Sequence, residues 1–167
     1  FKIIQFTDLH YKLGNPASRQ ATDCLYEIVK AEQPDLIVLT GDVIYSKPGD
    51  MCLQQILNIM SDLKVPFCYL LGNHDPEQGT PVSQLYDQAQ QNTYCVQPKR
   101  NGNALDFALP IKSSDGAKTA AVIYGMDTHE YCKMPGVGGY QWLTWNQIGR
   151  YRNWAASFKR ENGGKPI

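Results

Sequence analysis

Residues 67–75 read Phe-Cys-Tyr-Leu-Leu followed by Gly-Asn-His-Asp, and this stretch decides the fold. The apolar part has the composition of a short buried strand. It stops at Gly72, and the next three side chains can bind a metal ion, orient a ligand or transfer a proton. Ligands of open α/β sheets bind beyond the carboxyl ends of the strands. The stretch therefore predicts a functional site directly after a strand.

Two earlier apolar runs end in the same way. Residues 2–7 and Leu36–Thr40 are rich in β-branched and aromatic residues, so both are predicted strands. The first is followed by Asp8-Leu9-His10 and the second by Gly41-Asp42. Leu36–Thr40 is a continuous apolar run of the kind that is buried on both faces, which favours parallel strands in βαβ units. Three predicted strands thus end in polar residues at one edge.

Helical patterns separate these strands and continue after them. Asn15 and Pro16 predict the start of a first helix, whose apolar face is expected to contain Ala21, Leu25, Ile28 and Val29. A second helix is predicted up to residue 64, and a third is expected to begin after a cap at Thr80-Pro81. The residues 105–109 and 120–124 predict a hairpin. The capping-box spacing of Thr144 and Gln147 predicts a last helix.

The composition excludes several classes of protein. Sixteen basic and sixteen acidic residues give a formal net charge of zero, so no overall field attracts nucleic acid. The longest apolar run, residues 65–71, is far shorter than the roughly 20 residues of a membrane-spanning helix. The chain is expected to be soluble, and its start without Met suggests processing, so it could be cytoplasmic or exported after removal of a signal.

The five cysteines are odd in number and widely spread, which argues against a zinc knuckle and a disulfide scaffold. Free cysteine usually behaves as a small buried hydrophobe. Burial is expected above all for Cys24 and Cys68.

The polar residues at the three strand ends form a candidate metal site. Carboxylate, imidazole and amide ligands together suit zinc, manganese or iron. A carboxylate such as Asp42 can bridge two ions about 3.5–4 Å apart, and glycine at 41 and 72 lets the backbone approach closely. Taken singly, each of these side chains is commonly a cap, a turn former or a surface residue. Their joint occurrence at three strand ends favours a site composed of Asp8, His10, Asp42, Asn73 and His74.

Asp8-Leu9-His10, Gly41-Asp42 and Gly72-Asn73-His74-Asp75, in this order with helices between them, resemble the motifs of the calcineurin-like metallophosphoesterases. The resemblance implies an α/β fold, a four-layer αββα sandwich truncated here after its N-terminal part. It also implies a dinuclear metal centre that hydrolyses phosphate mono- or diesters. By the same resemblance Asp8 and His10 would bind the first metal, Asn73 would bind the second metal, and Asp42 would bridge the two. His74 would contact the phosphate or protonate the leaving group, and Asp75 would orient His74.

The chain lacks two motifs by which this family completes its centre. These are a lone later histidine at a strand end and a Gly-His-x-His block. Residues 1–167 are therefore predicted to be a single, incomplete phosphoesterase domain without its C-terminal strands. Such a piece is expected to hold one ion or none, and to self-associate through an uncovered sheet edge.

Tyr45 and His129 leave alternatives open. Gly-Asp-x-x-Tyr, ending at Tyr45, resembles the purple acid phosphatases, in which that tyrosine binds iron(III) but the histidine of position 10 is absent. An acid phosphatase of that type is one alternative, and a non-catalytic binding protein that retains the fold is another. His129 could act on the substrate side or be a plain loop residue.

Overall fold

The computed structural model describes residues 1–100, 102, 104–165 and 167. In these residues a parallel sheet has the strand order β1 (Ile3–Phe6), β2 (Leu36–Thr40) and β3 (Phe67–Leu70). An antiparallel pair, β4 (Phe107–Lys112) and β5 (Thr119–Gly125), forms a second sheet. The helices are α1 (Pro16–Glu32), α2 (Gly49–Leu63), α3 (Val82–Gln90) and α4 (Trp145–Glu161), and a single 3₁₀ turn covers Pro76–Gln78.

The two faces of the parallel sheet belong to different layers, because side chains alternate along a strand. Ile37 and Leu39 lie in one buried cluster with the apolar faces of α1, α2 and α3. Leu36 and Val38 point the other way and pack with Phe107 of the second sheet. Tyr124 of β5 contacts α4 through the rings of Tyr151 and Trp154, at centroid distances of 4.8 and 6.4 Å. The order helix, sheet, sheet, helix confirms the expected αββα layers.

The buried face of α1 differs from the predicted one. Ser18, Thr22, Leu25 and Val29 are buried, whereas Ile28 is 43% exposed. Ser18 tolerates burial because its Oγ accepts a hydrogen bond from Lys12 N at 2.9 Å. The buried face of α1 is therefore rotated, relative to the predicted face, toward the small hydroxyl residues Ser18 and Thr22. The same rotation leaves Cys24 exposed, so the prediction of its burial was wrong, while Cys68 is buried as predicted.

Thr80 caps a different helix from the one predicted. α3 begins after Pro81 without a side-chain cap. The Oγ1 of Thr80 instead accepts from Asp50 N, in the first turn of α2, at 2.9 Å. Pro48, which precedes α2, offers no side-chain acceptor, so an N–H of that turn is satisfied from outside the helix. The capping box of α4 agrees with prediction, with Thr144 and Gln147 bonded reciprocally.

Among the described strands β1 pairs only with β2. Its Ile3 is 44% exposed. The self-association expected from an uncovered sheet edge stays a prediction. In the described part of the chain, no helix combines the length and the apolar character that spanning a membrane requires.

A buried carboxylate joins the ends of β2 and β3. Oδ1 of Asp75 accepts from the backbone N–H groups of Val43 and Ile44, both at 2.9 Å, and Oδ2 accepts from Gly72 N at 2.7 Å. The residue has no exposed surface. Burial raises the pKa of Asp75 to about 6, and the three N–H donors oppose this shift. One side chain thus satisfies three backbone donors from two loops.

The same two loops approach each other so closely that neither tolerates a side chain. A Cβ on Gly41 would lie 2.7 Å from Gly72 Cα, and a Cβ on Gly72 would lie 2.2 Å from Asp42 Oδ1. Gly41 also has a φ of 93°, a conformation that favours glycine. The backbone thus makes the close approach predicted at these glycines. Gly41 approaches the loop that contains Gly72, and Gly72 approaches Asp42.

We expect Asp75→Asn to lower the free energy of unfolding by about 1–3 kcal/mol, because the new amide nitrogen would face the N–H of Gly72 and leave it unsatisfied. Urea denaturation followed by circular dichroism measures the change. Asp23→Asn, which alters an exposed position of α1, is the control and should stay within about 0.5 kcal/mol of the parent. Equal stabilities for both variants would contradict the role of Asp75.

Candidate metal centre

Each strand of the parallel sheet delivers one side chain to a common point. Nε2 of His10, after β1, lies 3.5 Å from Oδ2 of Asp42, after β2. The other carboxylate oxygen of Asp42 accepts from the backbone N of His74, after β3, at 2.9 Å. Asp8 stands at the margin of this group, with Oδ1 3.8 Å from His10 Nε2. The structure therefore brings together side chains that are separated by more than thirty residues in sequence.

The spacing of these donors fits a metal ion. One ligand atom from each of His10, Asp42 and His74 lies within 4.8 Å of the others, and all three side chains are partly buried. Imidazole nitrogen combined with carboxylate oxygen suits zinc, manganese or iron. The sequence prediction did not include His74 among the metal ligands. In the structure its ring is close enough to His10 and Asp42 to be a possible ligand.

The backbone at this point is held in an unusual conformation. Of the described non-glycine residues with positive φ, Gln33 and Lys64 are the left-handed caps of α1 and α2. Asp8 (55°), His10 (43°) and Asp42 (49°) lie at the centre, and His129 (64°) lies in the loop after β5. Such strain persists only where neighbouring contacts enforce it, and it concentrates at functional sites. Here Asp8 N donates to Gly41 O at 3.1 Å and His10 N donates to Asp42 O at 2.9 Å.

Asn73 lies beside the loop that follows β5. Its Nδ2 donates to the hydroxyl of Tyr131 at 3.1 Å. Since the amide nitrogen is engaged there, Oδ1 is the atom that Asn73 could offer to a metal. The contact also shows that residue 131, which the sequence did not single out, reaches the candidate centre.

The structure corrects the role predicted for Asp75. Nδ1 of His74 lies 2.7 Å from Oε2 of Glu77, while the carboxylate of Asp75 is used entirely by backbone N–H groups. The backbone turn explains why Glu77 rather than Asp75 contacts His74. Glu77 N donates to His74 O at 3.2 Å, and residues three apart in such a tight turn lie on the same side. Asp75, one position after the histidine, points into the interior.

The contact between His74 and Glu77 shifts both acid–base equilibria. The hydrogen bond that His74 donates to the Glu77 carboxylate is the main cause that raises the pKa of His74, and the same bond lowers the pKa of Glu77. Both directions favour the ion pair. The spacing of histidine and glutamate in His-Asp-Pro-Glu was the sequence signal that could have identified this partner.

Tyr45 forms an aromatic wall of the centre. Its ring stacks on His10 at a centroid distance of 5.0 Å and an angle of 17°, and it meets the ring of His74 edge-on at 5.0 Å. Nζ of Lys12 lies 4.9 Å from the centroid of the same ring. The two histidine rings also meet each other edge-on at 5.4 Å, so Tyr45 packs against both of them as the third ring of one cluster.

His129 is held by its neighbours. Its Nδ1 lies 3.2 Å from Oδ2 of Asp127, and its Nε2 lies 3.1 Å from Oε1 of Gln147. Gln147 in turn donates to Asp106 at 2.9 Å, and this nearly inaccessible carboxylate also pairs with Arg150. With both ring nitrogens engaged, His129 does not replace a missing metal ligand in this conformation. Its contacts join the N-terminal end of α4 to the loop after β5.

A cavity of about 280 Å³ opens next to the centre, between the end of β3 and the loop after β5. Gly72 and His129 both line it. Its lining also contains the apolar residues Leu71, Pro76 and Val82 and the polar residues Asp127, Tyr131 and Lys133.

Known proteins are similar to this chain in sequence. A protein of Arabidopsis thaliana named probable inactive purple acid phosphatase 29 is 27% identical over 194 residues, which cover 99% of this chain and 50% of that protein. The yeast Saccharomyces cerevisiae protein named phosphatase DCR2 is 24% identical over 191 residues, covering 95% of this chain and 32% of that protein. This chain thus spans half or less of the length of these relatives.

A solved structure shows the same fold. The crystal structure of a dimetal phosphatase from Danio rerio superposes with a TM-score of 0.60 at 13% identity, covering 96% of this chain and 66% of that one. A family model described as calcineurin-like phosphoesterase matches residues 1–162, nearly the whole chain. This chain therefore belongs to the calcineurin-like phosphoesterases.

Proposed function

We propose that the protein to which this chain belongs is a metal-dependent phosphoesterase that hydrolyses phosphate mono- or diesters at a dinuclear centre. The observation that carries the proposal is the meeting of His10, Asp42 and His74 at the ends of three neighbouring strands. Family membership and the dimetal phosphatase fold support the same chemistry. In this proposal residues 1–167 supply the first part of the site, in a single domain.

In this proposal Asp42 is the bridging ligand, and two contacts support that role. Its Oδ2 faces His10, and its Oδ1 is oriented by the N–H of His74. Asp8 and His10 would hold one ion together with Asp42, and Asn73 would hold the second through Oδ1. When bound, manganese, iron or zinc ions would polarise the phosphoryl oxygens and neutralise their charge.

His74 would act on the substrate through its second ring nitrogen. Since Nδ1 faces Glu77, the Nε2–H of the protonated ring would hydrogen-bond the phosphate or give its proton to the leaving oxygen, which leaves the neutral ring with its proton on Nδ1. The adjacent cavity would receive the alcohol part of the ester. Tyr45 would limit the movement of both histidine rings, whether or not its hydroxyl also binds iron as in the purple acid phosphatase alternative.

A second candidate function is phosphate-ester binding without turnover. It is favoured by the names of two Arabidopsis thaliana relatives, each 27% identical, which describe them as probable inactive purple acid phosphatases. The present site retains each of the ligands expected from its part of the motif set. Turnover and metal content, measured together, separate the two functions.

In the longer protein we expect Asp42→Asn to reduce turnover to background while the fold is kept, because one carboxylate serves both ions. Hydrolysis of p-nitrophenyl phosphate and its diester, with and without added manganese, measures the effect. Asp23→Asn removes an exposed carboxylate from α1 as the control. Unchanged activity of Asp42→Asn would refute the bridging role.

For His74→Ala in the longer protein we expect metal to be retained while kcat falls about 10²–10⁴-fold, the typical contribution of a general acid. Metal analysis of the same preparation provides the comparison. A parallel loss of metal and rate would instead make His74 a ligand, as its position near His10 and Asp42 allows.

The 167-residue chain itself should bind at most one ion and be nearly inactive. Asp8, His10 and Asp42 provide three ligands, but Asp42 and Asn73 alone offer too few preplaced donors for a second ion. Elemental analysis after dialysis gives the count per chain. Two tightly held ions, or turnover equal to that of the longer protein, would show that the ligands are misassigned.

A further inference from the structure

A chain of hydrogen bonds runs along one side of the candidate centre. Oε2 of Glu77 contacts Nδ1 of His74 at 2.7 Å. Oε1 of the same carboxylate accepts from the hydroxyl of Tyr131 at 3.1 Å. That hydroxyl in turn accepts from Nδ2 of Asn73 at 3.1 Å. This series of hydrogen bonds starts at His74 and ends at its neighbour Asn73. Glu77 and Tyr131 therefore link the side chains of these two adjacent residues.

Tyr131 is itself held in place by a small antiparallel turn in the loop after β5. It forms a bridge with Tyr140, and the two rings stack at a centroid distance of 5.5 Å. Backbone bonds flank the bridge, from Cys132 N to Gly139 O at 2.9 Å and from Gln141 N to Glu130 O at 3.0 Å. The hydroxyl of Tyr131 is therefore presented from a separate part of the chain with a defined direction.

We propose that Glu77 and Tyr131 are positioning residues of this site. Glu77 keeps the proton of the neutral His74 ring on Nδ1 and leaves Nε2 for the substrate or an ion. Tyr131 holds the carboxylate of Glu77 and the amide of Asn73 at the same time, so the loop after β5 aligns both. A side chain that engages one ring nitrogen sets the tautomer and orientation of a histidine.

The tautomer can be observed in the 167-residue chain without any turnover. The chain has three histidines, so long-range ¹H–¹⁵N spectra of ¹⁵N-histidine-labelled protein can resolve each ring. At a pH where the rings are neutral, we expect the His74 proton on Nδ1 in the parent chain. In Glu77→Ala we expect it to be redistributed toward Nε2, with the resonances of His10 and His129 little changed.

Two variants make this measurement specific. Glu77→Gln keeps an acceptor oxygen and should retain the Nδ1 proton. Glu130→Ala removes a carboxylate that lines the cavity beside the centre but is not the partner of His74 Nδ1, so it should also leave the tautomer unchanged. The Glu77 side chain is 38% exposed, so these substitutions should leave the fold intact, as circular dichroism can verify.

Tyr131→Phe tests the second link. Removal of the hydroxyl should shift the side-chain amide resonances of Asn73 while His74 keeps its Nδ1 proton. The role proposed for Glu77 is overturned if the proton of neutral His74 lies on Nε2 in the parent chain, or if that proton stays on Nδ1 in Glu77→Ala. The role proposed for Tyr131 is overturned if the Asn73 amide is unaffected.

The catalytic consequence rests on the proposed function and is measured separately in the longer protein. Loss of a partner that orients a site residue typically costs about 10–100-fold, so Glu77→Ala should lower kcat by this factor with KM nearly unchanged, and Glu77→Gln should recover part of the loss. A normal kcat would contradict a role in catalysis. An inactive parent protein would count against the phosphoesterase proposal alone, because the tautomer measurement does not depend on turnover.

Discussion

The carboxylate of Asp75 is the interaction on which the arrangement of the site depends. It lies without solvent contact between the ends of β2 and β3 and accepts three backbone hydrogen bonds from the two loops that leave these strands. Burying an anion is costly, and here three donors that would otherwise be unsatisfied in the interior offset part of that cost. The contact draws the loops together until Gly41 and Gly72 touch.

The position of Asp42 follows from this close approach. Its backbone is held at a positive φ and its Oδ1 is aligned by an N–H of the opposite loop, so the carboxylate is directed before any ligand arrives. His10 is held in the same way by the backbone of Asp42. Preorganisation of this kind reduces the ordering that metal binding would otherwise require.

The second sheet and α4 bring a separate loop to the site. Asp106, buried at the start of the second sheet, binds Gln147 and Arg150 of α4 and the backbone of Asp127. These contacts anchor the beginning of the loop that carries Tyr131. Residues 127–141, on which the sequence motifs give no information, therefore supply part of the lining of the cavity beside the centre.

The sequence by itself determined the strands of the first sheet, their parallel direction and the residues that follow their ends. Leu36–Thr40 and residues 67–71 are apolar runs whose length and composition allow little else, and the polar residues after them could be identified because strand ends of a parallel sheet share an edge. The predictions of the buried face of α1 and of a buried Cys24 were wrong, because hydrophobic periodicity ignores small hydroxyl residues whose hydrogen bonds allow them to be buried. Only the tertiary structure decided which acid serves which role. Asp75 and Glu77 are two residues apart, and a tight turn sends the first into the interior and the second back to His74. Tyr131 reaches the same group from more than fifty residues away, because contacts between layers depend on packing that no local pattern encodes.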